Sequence, residues 1–146
     1  MYLLDTNLLS ELIRRNPNPD VEMRFEAEQA ELFTSVICIE EIRFGAKIGS
    51  PGNRLWERTQ TEVLPRLKII VLDEPLAVAA ADLRADCKIH GTPMGYRDGL
   101  IAATAQAKDL VLVTRNVRHF DHVAGLKLEN WFEPPAPTST PTAQSQ

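Results

Sequence analysis

Short apolar runs alternate with longer amphipathic stretches along most of this chain. Four of the runs are typical of strands buried in a sheet, at 2–4, 32–36, 68–72 and 110–114. The third of them is apolar on both faces, which predicts a fully buried strand. Between the runs, apolar residues three and four positions apart predict helices at 8–13, 19–27, 37–48, 54–67, 73–91 and 97–108. Strands that alternate with helices favour a parallel α/β sheet with helices on both faces.

The end of the chain has a different character. After the fourth predicted strand, a short turn at 117–121 precedes a possible edge strand at 125–128. Residues 133–146 are rich in Pro, Thr and Ser and carry almost no apolar side chains, so they cannot bury enough surface to fold. We therefore predict one domain at 1–132, with a four- to five-stranded parallel sheet in a three-layer arrangement, and a disordered tail at 133–146.

Composition narrows the class of protein. A chain of 146 residues, 44% hydrophobic and 25% charged, is typical of one soluble globular domain. Its net charge of −4 argues against binding nucleic acid through bulk electrostatics, but not against a nuclease whose acidic site holds metal ions. No apolar run approaches the about 20 residues of a membrane span, and the amino terminus does not resemble a signal peptide. We expect a cytoplasmic protein with no membrane partner.

The first polar residue after the first predicted strand is Asp5. A carboxylate at the end of a buried strand is costly to desolvate unless a cation meets it. The carboxyl end of a parallel sheet is also where ligands bind in open α/β folds. The alternative interpretation is structural, because Asp5 and Thr6 are both residues that commonly cap a following helix.

Further polar side chains are predicted at the same edge of the sheet. Asn116 follows the fourth strand, Asp98 begins the helix before it, and Glu40 and Glu41 lie one turn into the helix after the second strand. Carboxylates placed together raise one another's pKa unless a cation joins them. Ligands that are all oxygen select hard ions, Mg²⁺ or Mn²⁺. Each acid also has a plain alternative, as a helix-terminal or solvated charge.

Four segments, in order along the chain, resemble the motifs of PIN-domain ribonucleases, in particular the VapC toxins of bacterial toxin–antitoxin pairs. They are 4–7 (LDTN), 35–45 (SVICIEEIRFG), 98–105 (DGLIAATA) and 112–116 (LVTRN). The resemblance covers roughly residues 1–132. It implies a PIN-like fold and metal-assisted hydrolysis of RNA phosphodiester bonds.

The resemblance also assigns roles to single residues. Asp5, Glu41 and Asp98 match the three acidic metal-binding positions, and Asn116 falls at the fourth, where relatives carry Asp or Asn. Glu41 is chosen over Glu40 because it is the one followed by Ile-Arg-Phe-Gly. Three hydroxyl residues are implied to orient the carboxylates: Thr6, Ser35 and Thr114.

Cofactor and partners follow from the same resemblance. It implies Mg²⁺ or Mn²⁺ as the cofactor and RNA as the substrate. It further implies a homodimer, and inhibition by a VapB-like antitoxin whose carboxyl-terminal segment reaches the site. Promoter DNA is expected to be bound only through that antitoxin.

One departure from the family pattern leaves alternatives open. Many relatives carry an Asp-Phe pair three residues after the fourth position, where this chain has His119 and Phe120 followed by Asp121. Because Asn116 supplies no charge, the sequence does not decide whether Asp121 completes the fourth corner or whether one or two ions bind. A PIN nuclease of RNA processing without an antitoxin, and a PIN-like binding module with weakened catalysis, are the competing interpretations.

Overall fold

The computed structural model describes residues 1–50 and 53–134 and places five short strands in one parallel sheet. The strands are β1 (Tyr2–Leu4), β2 (Leu32–Ser35), β3 (Lys68–Ile70), β4 (Val111–Val113) and β5 (Leu128–Glu129). Their spatial order is β3-β2-β1-β4-β5, so the first strand of the chain is the central one. Tyr2 lies opposite Leu32 on one side and Val111 on the other.

Helices connect the strands throughout the described ranges. They are α1 (Thr6–Leu12), α2 (Pro19–Ala27), α3 (Val36–Ile48), α4 (Leu55–Arg58), α5 (Glu74–Ile89) and α6 (Tyr96–Ala107). Side chains at the predicted polar positions cap several of them. Asn18 accepts hydrogen bonds from the backbone at the start of α2, and Asp73 does the same for α5.

The order of the strands places helices on both faces of the sheet. From β1 to β3 the chain moves in one direction across the sheet, whereas the connection to β4 returns past β1 to its other side. Since parallel crossovers are right-handed, α1 to α4 cover one face and α5 and α6 cover the other. The predicted three-layer α/β fold is confirmed. The direction of the connections reverses at β1 and β4, and a crevice opens at the carboxyl ends of such strands.

The central strands are buried by both helical layers. Leu3, Leu4 and Leu112 are fully buried in the main core, which also contains Trp131 at 2% exposure. Trp131 packs edge-to-face against Tyr2, with ring centroids 5.4 Å apart. A core of this kind fixes the ends of β1 and β4 and so fixes the side chains that follow them.

The prediction of one continuous α-helix over 54–67 is wrong. After α4, the chain continues as a π-helical turn at Thr59–Val63 and a 3₁₀ turn at Leu64–Arg66. Pro65 has no N–H to donate to the helix, which explains the break before it. The Thr59 hydroxyl donates a hydrogen bond of 2.7 Å to the Leu55 carbonyl, which stabilises the change from α-helical to π-helical geometry.

The prediction that the third strand is buried on both faces is also wrong. β3 is an edge strand of only three residues, and Ile69, Val71 and Leu72 are 46%, 64% and 38% exposed. One apolar run does not distinguish an edge strand from a central one, because the run does not determine the order of the strands in the sheet. These side chains form an apolar surface at one edge of the sheet.

The predicted fifth strand is present, at Leu128–Glu129 rather than 125–128. Of the tail predicted at 133–146, residues 135–146 lie outside the described residues, as do residues 51 and 52. None of the helices within the described ranges is both long and apolar enough to cross a membrane.

Candidate active site

A cleft of about 720 Å³ opens at the carboxyl ends of β1 and β4. Asp5, Glu41, Asp98 and Asn116 all line it, together with Thr6. The structure therefore brings together the three acids and the amide that the sequence predicted on one rim. A second cleft of about 750 Å³, beside Tyr2, is lined by other acids, Glu28, Glu129 and Glu133, and by none of the predicted site residues.

Asp5 is held at the floor of the cleft by three neighbours. Its Oδ1 accepts a hydrogen bond from the Thr6 backbone N–H at 2.7 Å, and its Oδ2 accepts one from the Thr114 hydroxyl at 2.9 Å and one from Asn7 Nδ2 at 3.4 Å. Asp5 also occupies the cap position of α1, so the capping and site interpretations hold together. A carboxylate so fixed presents a defined set of free lone pairs to the cleft.

Burial raises the pKa of Asp5 above its ordinary value, because its side chain is only 7% exposed and loses most of its hydration. The hydrogen bonds from Thr114 and Thr6 lower the pKa, and the negative charges of Glu41 and Asp98 raise it again. Desolvation and like charge together exceed the hydrogen bonds. The site thus favours a cation beside Asp5 whenever Asp5 is ionised.

Glu41 faces the cleft from α3, and its neighbour Glu40 does not line it. The guanidinium of Arg97 lies 3.6 Å from Glu41 Oε1 and 3.1 Å from Glu40 Oε2, so one arginine contacts both acids. The Glu41 side chain is 20% exposed and that of Glu40 is 60% exposed. The assignment of Glu41 to the site agrees with this geometry.

Asp98 lies in the first turn of α6 and has a histidine beside it. His119 Nδ1 is 3.3 Å from Asp98 Oδ2, and both residues line the cleft. The His119 side chain is 59% exposed. The contact with Asp98 was not predicted, because it depends on the 3₁₀ turn at Val117–His119 that folds back over α6.

Asn116 occupies the fourth corner, and its backbone N–H donates to the Thr114 hydroxyl at 3.1 Å. Thr114 therefore accepts from Asn116 while it donates to Asp5, which links the two sides of the cleft. Asp121 does not line the cleft. Its side chain is 60% exposed and lies 3.8 Å from His122 Nδ1.

The other two predicted hydroxyls are placed differently from Thr114. Ser35 caps α3 by accepting a hydrogen bond from the Ile37 N–H at 3.1 Å, which is a structural role. The Thr6 hydroxyl is buried and has no hydrogen-bond partner in the described part of the chain, although Thr6 lines the cleft. The contact of Thr6 with Asp5 is made by its backbone N–H, and its hydroxyl orients no carboxylate among the described residues.

Several residues of the cleft were not predicted as a part of it. Asn7 binds Asp5 through its amide nitrogen and accepts from the Arg115 N–H at 3.1 Å through its oxygen. Arg14 and Phe132 line the walls. Asn7 belongs to the motif at 4–7 and could have been found by its spacing from Asp5, whereas nothing in the sequence places Phe132 near residue 5.

The donor set fits a hard divalent ion, since carboxylate, amide and hydroxyl oxygens are the ligands that Mg²⁺ and Mn²⁺ prefer. Across residues 1–50 and 53–134, however, no three acidic, histidine or cysteine side chains form a ready-made coordination cluster. Glu41 contacts Arg97 and Asp98 contacts His119. Each contact occupies one carboxylate oxygen, so Glu41 Oε2 and Asp98 Oδ1 are the oxygens left for a metal ion.

The parallel sheet and the acidic cleft define a PIN-domain protein, and the PIN domain family model matches residues 2–126. Within this class, the chain belongs to the VapC family, as the sequence motifs indicated. It is 37% identical over 140 residues to the VapC ribonuclease Y4jK of Sinorhizobium fredii, covering 92% of this chain and 99% of the relative. It is 36% identical over 126 residues to Toxin FitB of Neisseria gonorrhoeae, covering 82% of this chain and 91% of the relative.

A solved structure shows the same fold. VapBC2 from Rickettsia felis, bound to a DNA fragment from their promoter, superimposes with a TM-score of 0.79 at 28% identity. The match covers 89% of this chain and 98% of that one.

Proposed function

We propose that this chain is a Mg²⁺- or Mn²⁺-dependent endoribonuclease and the toxin of a toxin–antitoxin pair, acting on RNA in the cytoplasm. The observation that carries the proposal is the convergence of Asp5, Glu41, Asp98 and Asn116 on one cleft. The names of the relatives, a VapC ribonuclease and a toxin, support both halves of the proposal.

The side chains of the cleft divide into two groups. Asp5, Glu41 and Asp98 would hold the metal ion, which when bound supplies an activated water and neutralises charge on the phosphoryl group. Thr114, Asn7 and the Thr6 N–H keep the Asp5 carboxylate in one orientation. Fixing a ligand in advance saves the reorganisation that would otherwise raise the barrier.

Two arginines at the rim are placed to bind the RNA backbone. Arg14 and Arg115 are exposed and line the cleft, and Arg14 also pairs with Glu11 at 3.1 Å. Arginine binds phosphate in a bidentate manner, which positions a chain without reading its sequence. An acidic protein can thus bind RNA locally, and its net charge of −4 is no obstacle.

Paired variants of adjacent glutamates provide the test. Purified wild-type protein, Glu41→Gln and Glu40→Gln are incubated with bacterial total RNA and Mg²⁺, and new 5′ ends are mapped. We expect discrete cleavage by wild type and by Glu40→Gln, with a loss of at least about 100-fold in Glu41→Gln, because only Glu41 faces the cleft. Equal activity in Glu41→Gln and wild type would contradict the assignment, and no cleavage by wild type would favour the non-catalytic binding module.

We further propose that a VapB-like antitoxin binds over this cleft and carries any binding to promoter DNA. The cleft extends past the acids to the apolar residues Ile42 and Leu55, which suits an inserted peptide segment. The DNA-bound VapBC2 structure supports such a partner. Expression with and without the neighbouring small gene tests this: growth arrest relieved by the neighbour is the expected result, and arrest in both cases would favour an RNA-processing nuclease without an antitoxin.

A homodimer is the last part of the proposal. The apolar surface of Ile69, Val71 and Leu72 along the β3 edge is a candidate for contact with a second copy. Light scattering is expected to give twice the mass of one chain, and Val71→Glu to give a monomer. A monomer in the wild type at all concentrations would overturn this part alone.

A further inference from the structure

An arginine and an aromatic ring lie together at one wall of the acidic cleft. Arg115 follows β4 directly, and its Cζ atom is 4.7 Å from the centroid of the Phe132 ring. Both residues line the cleft that contains Asp5, Asp98 and Asn116. A separation this short is characteristic of a cation–π contact.

Both members of the pair are fixed by backbone contacts. The Arg115 N–H donates to Asn7 Oδ1 at 3.1 Å, and Asn7 in turn donates to Asp5. The Phe132 N–H donates to Asn130 Oδ1 at 3.0 Å, and the preceding Trp131 is buried at 2% exposure. The pair therefore has a set position relative to the carboxylates, two hydrogen bonds away from Asp5.

The packing of the two side chains leaves part of the pair open to the cleft. Phe132 is half-buried and touches the core with part of its ring, whereas its neighbour Trp131 fills the core. The Arg115 side chain is exposed, and no carboxylate within the described ranges forms an ion pair with it. A planar cation above an aromatic ring, open to a cleft, is a surface on which a planar ligand can stack.

Unpaired nucleobases are planar ligands of this kind. In single-stranded RNA recognition, bases stack on aromatic rings and on guanidinium planes. The adjacent acids would hold the phosphodiester through a metal ion, and Arg115 adds positive charge that favours RNA. The only charge of the pair is the positive one of Arg115, so this wall favours RNA, whereas the acids and the apolar residues Ile42 and Leu55 are left for the antitoxin segment.

We propose that Arg115 and Phe132 form a stacking platform for the unpaired base of a nucleotide next to the scissile phosphodiester. This inference rests on the proposed ribonuclease function. The platform selects single-stranded or looped RNA, since a base within a duplex cannot leave its stack without cost. It contributes to choosing the site of cleavage, whereas the acids carry out the reaction.

The test combines changes in the protein with changes in the RNA. A short single-stranded RNA is copied from a mapped cleavage site, and each nucleotide in turn is replaced by an abasic one. The proteins are wild type, Phe132→Leu, Phe132→Tyr and Phe44→Leu, all with Mg²⁺. Phe44 is 56% exposed on α3 and does not line the cleft, so it is the matched control.

We expect Phe132→Leu to lower kcat/KM about 10-fold on the intact RNA, the effect of losing one base–aromatic stack. With the RNA that is abasic at one position, the kcat/KM of the wild type falls by the same factor. The kcat/KM of Phe132→Leu does not fall further on that RNA, because the stacking contact is already absent. Phe44→Leu keeps wild-type activity, and Phe132→Tyr keeps the dependence on that abasic position because its ring can still stack. Arg115→Gln is tested as a further variant, because its exposed side chain does not disturb the core. As with Phe132→Leu, its kcat/KM is expected not to fall further at that abasic position.

Other outcomes overturn the inference in distinguishable ways. No cleavage by the wild type contradicts the proposed function and the platform together. Wild-type activity in Phe132→Leu, or an equal loss at every abasic position, contradicts the platform alone. If Phe132→Leu cleaves RNA as the wild type does but is inhibited less by the antitoxin, this wall binds a peptide and not a base.

Discussion

The Thr114 hydroxyl donates a hydrogen bond of 2.9 Å to Asp5 Oδ2, although the two residues are 109 positions apart in the chain. The bond joins the end of β4 to the end of β1, and it is buried. The same hydroxyl accepts from the Asn116 N–H, so its proton must point at Asp5. Thr114 thus fixes the carboxylate that the sequence singled out first.

Replacing Thr114 with valine removes this bond and keeps the shape of the side chain. We expect Mg²⁺ affinity to fall about 10- to 100-fold, the usual effect of losing a group that orients a metal ligand. Calorimetric titration with Mg²⁺ measures it. Thr104→Val is the matched control, because that buried hydroxyl bonds only within α6, to the Leu100 carbonyl at 2.7 Å. Equal affinities in the two variants would refute the role of Thr114.

The raised pKa of Asp5 predicts how stability depends on pH. A carboxyl whose pKa is higher in the folded state binds its proton more tightly there, so its ionisation destabilises the fold. This loss of stability appears as the pH rises from the unfolded pKa through the raised folded pKa, and it is complete above both. In metal-free buffer, Asp5→Asn is therefore expected to melt several degrees above wild type at neutral pH.

The difference in melting temperature should shrink as the pH is lowered below the ordinary range of an aspartate, where Asp5 is protonated in both states. Thermal melts in EDTA from acid to neutral pH measure this. Added Mg²⁺ should raise the melting temperature of wild type and not of Asp5→Asn. A difference that stays constant with pH would show that the ionisation of Asp5 is not its cause.

Arg97 is predicted to compete with metal ions for Glu41. Its guanidinium lies 3.6 Å from Glu41 Oε1, and the positive charge there opposes the approach of a second cation to the same carboxylate. We expect Arg97→Gln to bind Mg²⁺ about 2- to 5-fold more tightly, in keeping with the modest strength of a partly exposed ion pair. Arg118→Gln, an exposed arginine that does not line the cleft, serves as the control. Weaker binding in Arg97→Gln would mean that Arg97 positions Glu41 instead.

Asn116, at the fourth position of the site, carries no charge, so a single substitution there is expected to increase the affinity for metal ions. Asn116→Asp adds a carboxylate to the cleft, and we expect it to raise Mn²⁺ affinity about 10-fold, since each added ligand charge strengthens binding of a hard cation. Asp121→Asn is expected to change nothing, because Asp121 lies outside the cleft. A loss of affinity in Asp121→Asn comparable to that in Asp5→Asn would return Asp121 to the fourth corner.

The alternation of apolar runs with amphipathic stretches was enough to predict the layers of this fold, because parallel strands and their helices leave distinct periodicities. It could not predict that Lys68–Ile70 is an edge strand, since strand order depends on connections and not on any one run. Nor did it predict the π-helical turn at Thr59–Val63, which arises where Pro65 interrupts an otherwise regular pattern.

The acids of the cleft were found by motif, and the structure brings Asp5, Glu41 and Asp98 to one place. The contact of His119 with Asp98 and the place of Phe132 in the cleft were not predicted. Arg97, His119 and Phe132 meet the site through packing of α3 against α6, a 3₁₀ turn, and the segment after β5. Such contacts depend on tertiary geometry at the scale of a few ångströms, and residue spacing along the chain does not determine that.

The central position of β1 has a consequence during protein synthesis. Asp5 leaves the ribosome early, but β1 is flanked on one side by β4, and Asp98, Thr114 and Asn116 are made only after two thirds of the chain. A nascent chain therefore cannot assemble the cleft while it is still short. Any activity that depends on this cleft is therefore withheld from nascent chains that have not yet reached Asn116.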